Sequence, residues 1–130
     1  MRVTVRDMLL AHAPFSAIYP ASRLVEASAI TLDVSREPPF AVIRMGRILR
    51  GVGAVTTRTM QLWCHDAPGT YTRIDEALRE ARKALDLWSV STQRGWLIRS
   101  EWVGDGEDSY DDGHKTIVRV GAWELTGTGE

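Results

Sequence analysis

Residues 56–88 read TTRTMQLWCHDAPGTYTRIDEALREARKALDLW, and two different periodicities meet in them across one turn. From Thr56 to His65 the pattern alternates. Met60, Leu62 and Cys64 fall on one side of an extended chain, and Thr57, Thr59, Gln61 and Trp63 fall on the other. A period of two with one apolar side predicts a strand with a buried face. Asp66-Ala67-Pro68-Gly69 carries turn chemistry. Beyond it the period becomes helical. Ile74, Ala77, Leu78, Ala81, Leu85 and Trp88 share one face, and Arg73, Glu76, Arg79, Glu80, Arg82 and Lys83 cover the rest. Thr70 or Thr72 is the expected cap, and the helix is expected to run to about Trp88. A strand followed directly by an amphipathic helix predicts α and β elements sharing one core.

Upstream, Phe40-Ala41-Val42-Ile43 is a β-rich apolar run after the break Glu37-Pro38-Pro39, and predicts a buried strand to about Met45. Gly46, Gly51 and Gly53, interleaved with Arg47, Ile48, Leu49 and Arg50, read as a long hairpin loop. Thr4, with Asp7 three residues on, reads as the cap of a first helix whose face holds Val5, Met8, Leu9 and His12 and which ends at Pro14. Residues 15–22 read as a loop. The segment 23–34 fits one strand or two short extended pieces.

Downstream, Ser89 to Gly95 reads as a polar loop, Trp96 to Val103 as a strand, and Gly104 to Gly113 as an acidic loop. Thr116 to Thr126 reads as a final strand, with Val118, Val120 and Ala122 on one face and Ile117, Trp123 and Leu125 on the other. Residues 127–130 read as a loose tail. The expected fold is therefore α+β: one domain over 1–130, with a roughly four-stranded antiparallel or mixed sheet. One long amphipathic helix and an N-terminal helix pack on that sheet.

A chain of 130 residues, 44% hydrophobic and 25% charged, fits one domain and excludes disorder as its dominant state. It can bury roughly two thirds of its unfolded surface without a metal or disulfide. The formal net charge is −1, which argues against nucleic acid as the main partner. A single cysteine, Cys64, fits a reducing compartment. The apolar stretch Met8-Leu9-Leu10-Ala11 is too short for a signal-peptide core, and no stretch is long enough to span a bilayer as a helix. The expectation is a soluble protein, made in the cytoplasm.

Candidate chemistry is sparse. His65-Asp66 pairs a base with a carboxylate, but neighbours on a strand point to opposite faces. Cys64 shares a face with Met60 and Leu62, which predicts an inert buried thiol. The acidic loop holds Asp105, Glu107, Asp108, Asp111 and Asp112, yet its spacing is not that of an EF-hand, and Thr116 stands where the bidentate acid belongs. Gly51-Val52-Gly53 lacks the lysine of a phosphate loop. No catalytic, cofactor-binding or metal-binding residue is assigned. Arg44, Arg47, Arg50 and Arg58 form a basic cluster on the hairpin. Against the acidic loop they make two complementary patches, which suit a head-to-tail interface between copies. Phosphate contact from a channel lining is the alternative for the arginines, and hydrated loops are the alternative for both patches.

Four segments together resemble the tail terminator proteins of long-tailed phages, especially those of actinobacteria. They are Pro38-Pro39-Phe40-Ala41-Val42-Ile43, the strand end Trp63-Cys64-His65-Asp66-Ala67-Pro68-Gly69, the helix start Tyr71-Thr72-Arg73-Ile74-Asp75, and the stretch from Trp102-Val103-Gly104 to Asp111-Asp112. The resemblance implies an α+β protein without cofactor or reaction. It implies a hexameric ring at the tail-neck junction of a virion, assembled in the host cytoplasm. Such a ring caps the tail tube, stops its polymerisation and joins the head-completion protein, with DNA at most passing through the lumen. A head-completion or neck connector protein is the alternative within the virion. A small hydrolase or ligand-binding domain is the alternative outside it, and its hallmark is a pocket gathering His65 with a distant acid.

Overall fold

The computed structural model describes residues 2–26, 37–85, 90–92 and 95–128. Helices α1 (Arg2–Ala11) and α2 (Ala13–Ser16) lead through a 3-10 turn (Ala21–Arg23) into strand β1 (Leu24–Glu26). Strands β2 (Phe40–Val52) and β3 (Val55–Asp66) follow, then helix α3 (Thr72–Leu85). Strands β4 (Val90–Thr92), β5 (Gly95–Asp105), β6 (Ser109–Asp111) and β7 (Thr116–Gly127) complete the described chain. The sheet runs β1-β2-β3-β7-β5-β4, with β6 also pairing β7. Strand β1 runs parallel to β2, and the remaining pairs are antiparallel. The fold is thus one α+β domain built on a mixed sheet.

The helices cover one face of this sheet. The alternation along β3 sends Met60, Leu62 and Cys64 into the same core as Ala41 and Ile43 of β2 and Trp123 and Leu125 of β7. Val5, Leu9 and Phe15 of α1 and α2, with Ile74, Ala77, Leu78, Ala81 and Leu85 of α3, close that core from the other side. At Gly121 a Cβ would sit 2.9 Å from Leu78 Cδ2 and 2.9 Å from the Trp123 ring, so glycine is what lets α3 approach β7. The Tyr19 hydroxyl donates to the His65 carbonyl at 3.1 Å and ties the α2 end to β3. Glu80, expected on the solvent face of α3, is buried instead. It pairs with His12 Nε2 at 3.0 Å and accepts from Lys83 at 3.1 Å. The His12 hydrogen bond, then that of Lys83, holds its carboxyl below the usual range.

Several expectations are corrected. Among the described residues the sheet has seven strands rather than roughly four. The three added strands are three residues long each, too short to show a period. One of them, β1, lies in the unassigned 23–34 segment, whose residues 27–34 lie outside the described residues. Another, β4, lies in what read as the 89–95 loop. Thr4 lies inside α1, which starts at Arg2, so it is no cap. Pro14 does not end a helix into a loop; it opens α2 behind the N-cap His12, as suits a residue with no N–H to satisfy. The expected end of α3 at Trp88 falls beyond Leu85, outside the described residues. Gly127, expected in a loose tail, pairs with both Thr56 and Leu97.

The largest correction concerns residues 46–53. All but Gly53 are strand, not loop, and β2 pairs with β3 up to Val52 and Val55. Gly53, at φ +61, and Ala54 form the two-residue turn, the Gly-first pattern of a type II′ hairpin. The register shifts between Met45 and Ile48, a bulge that bends the arm. Gly46 sits in that bulge where a Cβ would lie 1.9 Å from Thr59 Oγ1.

Candidate assembly surface and histidine cluster

The bulge decides which arginines face outward. Arg58 donates from Nε and Nη2 to the Gly46 carbonyl, at 3.0 and 2.9 Å. It therefore satisfies the backbone that the shifted register leaves unpaired, and it is half-buried. Arg44 lies over the Trp63 ring, 5.0 Å from its centroid. Arg50 reaches Glu124 at 3.4 Å, with both groups in contact with solvent. Arg47 is exposed and has no ion pair among the described residues. Beside these arginines Ile48, Leu49 and Val52 are 56%, 42% and 84% exposed. Among the described residues no helix covers these three side chains, and they meet solvent. Basic and apolar groups thus share one projecting hairpin, and the apolar half escapes a reading based on charge alone.

The acidic loop is more committed than its composition suggests. Asp105 accepts from Trp102 Nε1 at 3.1 Å. Asp108 pairs with Arg119, whose guanidinium also binds Asp75 of α3 and lies 5.5 Å from the Tyr71 ring centroid. Asp111 accepts backbone N–H groups from Gly113 and His114 at 2.8 and 3.1 Å, and faces His114 Nδ1 at 3.0 Å. Burial pushes the Asp111 carboxyl up, but these hydrogen bonds outweigh it and the group sits below its usual range. Glu107 and Asp112 remain exposed and have no ion pair among the described residues.

The sheet places the two patches far apart. The arm tip lies beyond Thr56, at one end of β3. The acidic loop roots beside Asp66, at the other end, through the pairing of Asp66 with Ile117 and of Asp111 with Thr116. At roughly 3.3 Å per residue, the arm tip and the loop root stand about 30 Å apart along the strands, while Arg44, opposite Gln61, and Asp105, opposite Gly121, lie nearer the middle of the sheet.

His65 is not joined to Asp66. The latter accepts from the Ala67 N–H at 2.8 Å and lies 3.5 Å from Arg73 in the first turn of α3. His65 points to the face away from the helices. There it stacks on Phe40 at 4.3 Å, and its Nδ1 hydrogen-bonds the Thr116 hydroxyl at 2.8 Å. His114 packs edge-on against it, with ring centroids 5.5 Å apart. Donor atoms of His65, Asp111 and His114 lie within 4.8 Å of one another. Burial lowers the His65 pKa to about 4, against the raising effect of Asp111. His114 escaped the sequence reading, although its place three residues after a turn aspartate is a local signal. Lys115, with φ +56, makes the left-handed step that turns the chain from His114 into β7.

Cys64 is fully buried, and burial pushes its thiol up, away from the thiolate form. A cleft of about 370 Å³ opens between α3 and β5, lined by Arg79, Arg82, Lys83, Ser100, Trp102 and Trp123 among others. Arg82 stacks on Trp102 at 3.6 Å from the ring centroid. A second cleft lies around Ile18, Asp66 and Arg73. Neither cleft includes the histidine cluster. No described helix is long and apolar enough to cross a membrane.

No protein-family model matches the chain. No curated protein sequence matches it. Its fold is similar to that of a chain in a solved structure entitled "Virion of native gene transfer agent (GTA) particle". The TM-score is 0.72 over 96% of this chain and 92% of that one, and the identity is 13%. At that identity the likeness is one of fold.

Proposed function

We propose that this chain is a structural protein of a phage-like virion and, more finely, a tail terminator. In this reading copies close into a ring, six by the family resemblance, at the tail-neck junction. The ring caps the tail tube, stops its growth and offers the joining surface to a head-completion protein. It works by binding, without a reaction or cofactor.

One observation carries this reading. A basic, apolar arm and an acidic loop stand about 30 Å apart at opposite ends of one sheet. Patches that complement each other, but cannot meet within one chain, suit a head-to-tail contact that closes into a ring. The fold likeness to a chain of a gene transfer agent virion supports the same class of role over nearly the whole chain. Within the arm the contact falls to Arg47 and Arg50 with Ile48, Leu49 and Val52, because Arg58 is half-buried on the Gly46 carbonyl whereas the Arg50 pair with Glu124 is long and solvent-exposed. On the acidic side it falls to Glu107 and Asp112.

Reversing both Arg47 and Arg50 to glutamate is expected to weaken self-association at least tenfold near physiological salt, read by light scattering across concentrations. Raising the salt should mimic the effect in the unaltered chain, because exposed pairs are screened. An unchanged oligomer in the double variant would remove the arm from the interface. A pull-down by portal instead of tube protein would favour the neck connector.

The hydrolase reading is kept in play by the gathering of His65 with Asp111 and His114. Against it, His65 is only 3% exposed, lies beneath Phe40 and faces neither of the two clefts. Neither of these clefts offers a reacting substrate access to it.

A further inference from the structure

We propose that His65, Asp111 and His114 form a binding site for a divalent transition ion of the zinc class, a site that goes beyond the virion reading and does not rest on it. The donor set decides the ion class. Two imidazoles and one carboxylate match zinc and its neighbours, whereas calcium and magnesium take oxygen ligands almost throughout.

The geometry is close to what such an ion needs. Ligand atoms around a tetrahedral zinc, with bonds near 2.0–2.1 Å, lie roughly 3.3 Å apart. Asp111 Oδ2 and His114 Nδ1 are already 3.0 Å apart, and all three donors fall within 4.8 Å. Closing the remaining gap takes a shift of about 1.5 Å at most, set against that tetrahedral edge. The movable partners are the solvent-side ones. The His114 and Asp111 side chains are 21% and 33% exposed and belong to one turn.

His65 is the fixed partner. Thr116 hydrogen-bonds its Nδ1 at 2.8 Å, and Phe40 fixes the ring plane. Outer groups that orient a ligating imidazole are the usual companions of a metal site. Three protein ligands leave a fourth position for water or for a group from a neighbouring copy. An ion here would clamp the end of β3 to the β6–β7 turn and stiffen the root of the acidic loop, at the end of the sheet opposite the arm.

The test uses the full chain, stripped with a chelator and dialysed, then titrated with zinc chloride at neutral pH. Magnesium chloride serves as the comparison. Calorimetry should give one zinc per chain and no comparable magnesium binding. At free zinc about one hundred times Kd, Tm should rise by roughly 10 °C for a chain of this length. His65→Ala removes a buried side chain and is a poor probe, so the variants are His114→Ala and Asp111→Asn, each at a solvent-side position. Each should weaken zinc binding at least tenfold. Ring signals of His65 and His114, and not of His12, should shift by nuclear magnetic resonance on zinc addition. No zinc binding in the unaltered chain would overturn the proposal. So would equal binding in both variants, or a shift confined to His12.

Discussion

Trp123→Ala is expected to cost about 3–5 kcal/mol of folding stability, the range for emptying a large aromatic site in a core. Trp123 is 1% exposed, pairs with Met60 on one side and Trp102 on the other, and packs its ring against the open space at Gly121. Its removal leaves a void between α3 and the middle of the sheet. Leu78 and the Trp123 ring both border the space at Gly121, so the void opens in a closely packed part of the core. Since small domains hold only about 5–15 kcal/mol in total, the variant should melt more than 10 °C lower and sit near the limit of folding. Trp102→Ala provides the contrast. Its ring is 38% exposed and held by Arg82 at the edge of the same core. It should lose clearly less, and equal losses in thermal melts would mean that the core does not centre on β7.

Stability should also fall steeply as pH drops from about 6.5 to about 4, and His65 is the cause. The sign follows from proton uptake. Unfolded, His65 has the ordinary histidine pKa of about 6.5; folded, it is lowered to about 4 by burial. Between these values the unfolded chain binds more protons than the folded one, so acid favours unfolding. The stabilisation is fully present above about pH 6.5 and is lost as pH falls toward 4. A gap of that size corresponds to roughly 3 kcal/mol. Asp111, whose carboxyl is held low, adds a loss in the same direction at still lower pH. Urea unfolding in the presence of a chelator, repeated across this window, measures the slope. His65→Gln should flatten it, and an unchanged slope in that variant would show that the acid sensitivity arises elsewhere.

The helix face of α3 and the inward side of β3 were legible because each repeats its pattern over many residues. Ile74, Ala77, Leu78, Ala81 and Leu85, and Met60, Leu62 and Cys64, all enter the core. The arm was not legible, for a physical reason. Glycines within a strand look like a loop until the bulge that needs them is seen, and Gly46 is needed because of Thr59 across the ladder. Charge patches were visible as composition, but their internal partners depend on register. Nothing near Arg58 in sequence indicates that it folds onto the Gly46 carbonyl. Asp108 likewise reads as a free acid until β7 brings Arg119 beside it. The histidine cluster joins Phe40, His65 and the turn before β7, three stretches that only the sheet brings together.

The most direct measurement of the central claim is the length of tail tubes, seen by electron microscopy, when the virion's tube protein polymerises with and without this chain. The reading as a terminator predicts that growth stops, with a closed ring of this 14.5 kDa protein at one tube end. Its Arg47→Glu, Arg50→Glu double variant should let tubes lengthen. Tubes that grow unchecked with the unaltered chain present, and carry no ring, would contradict it.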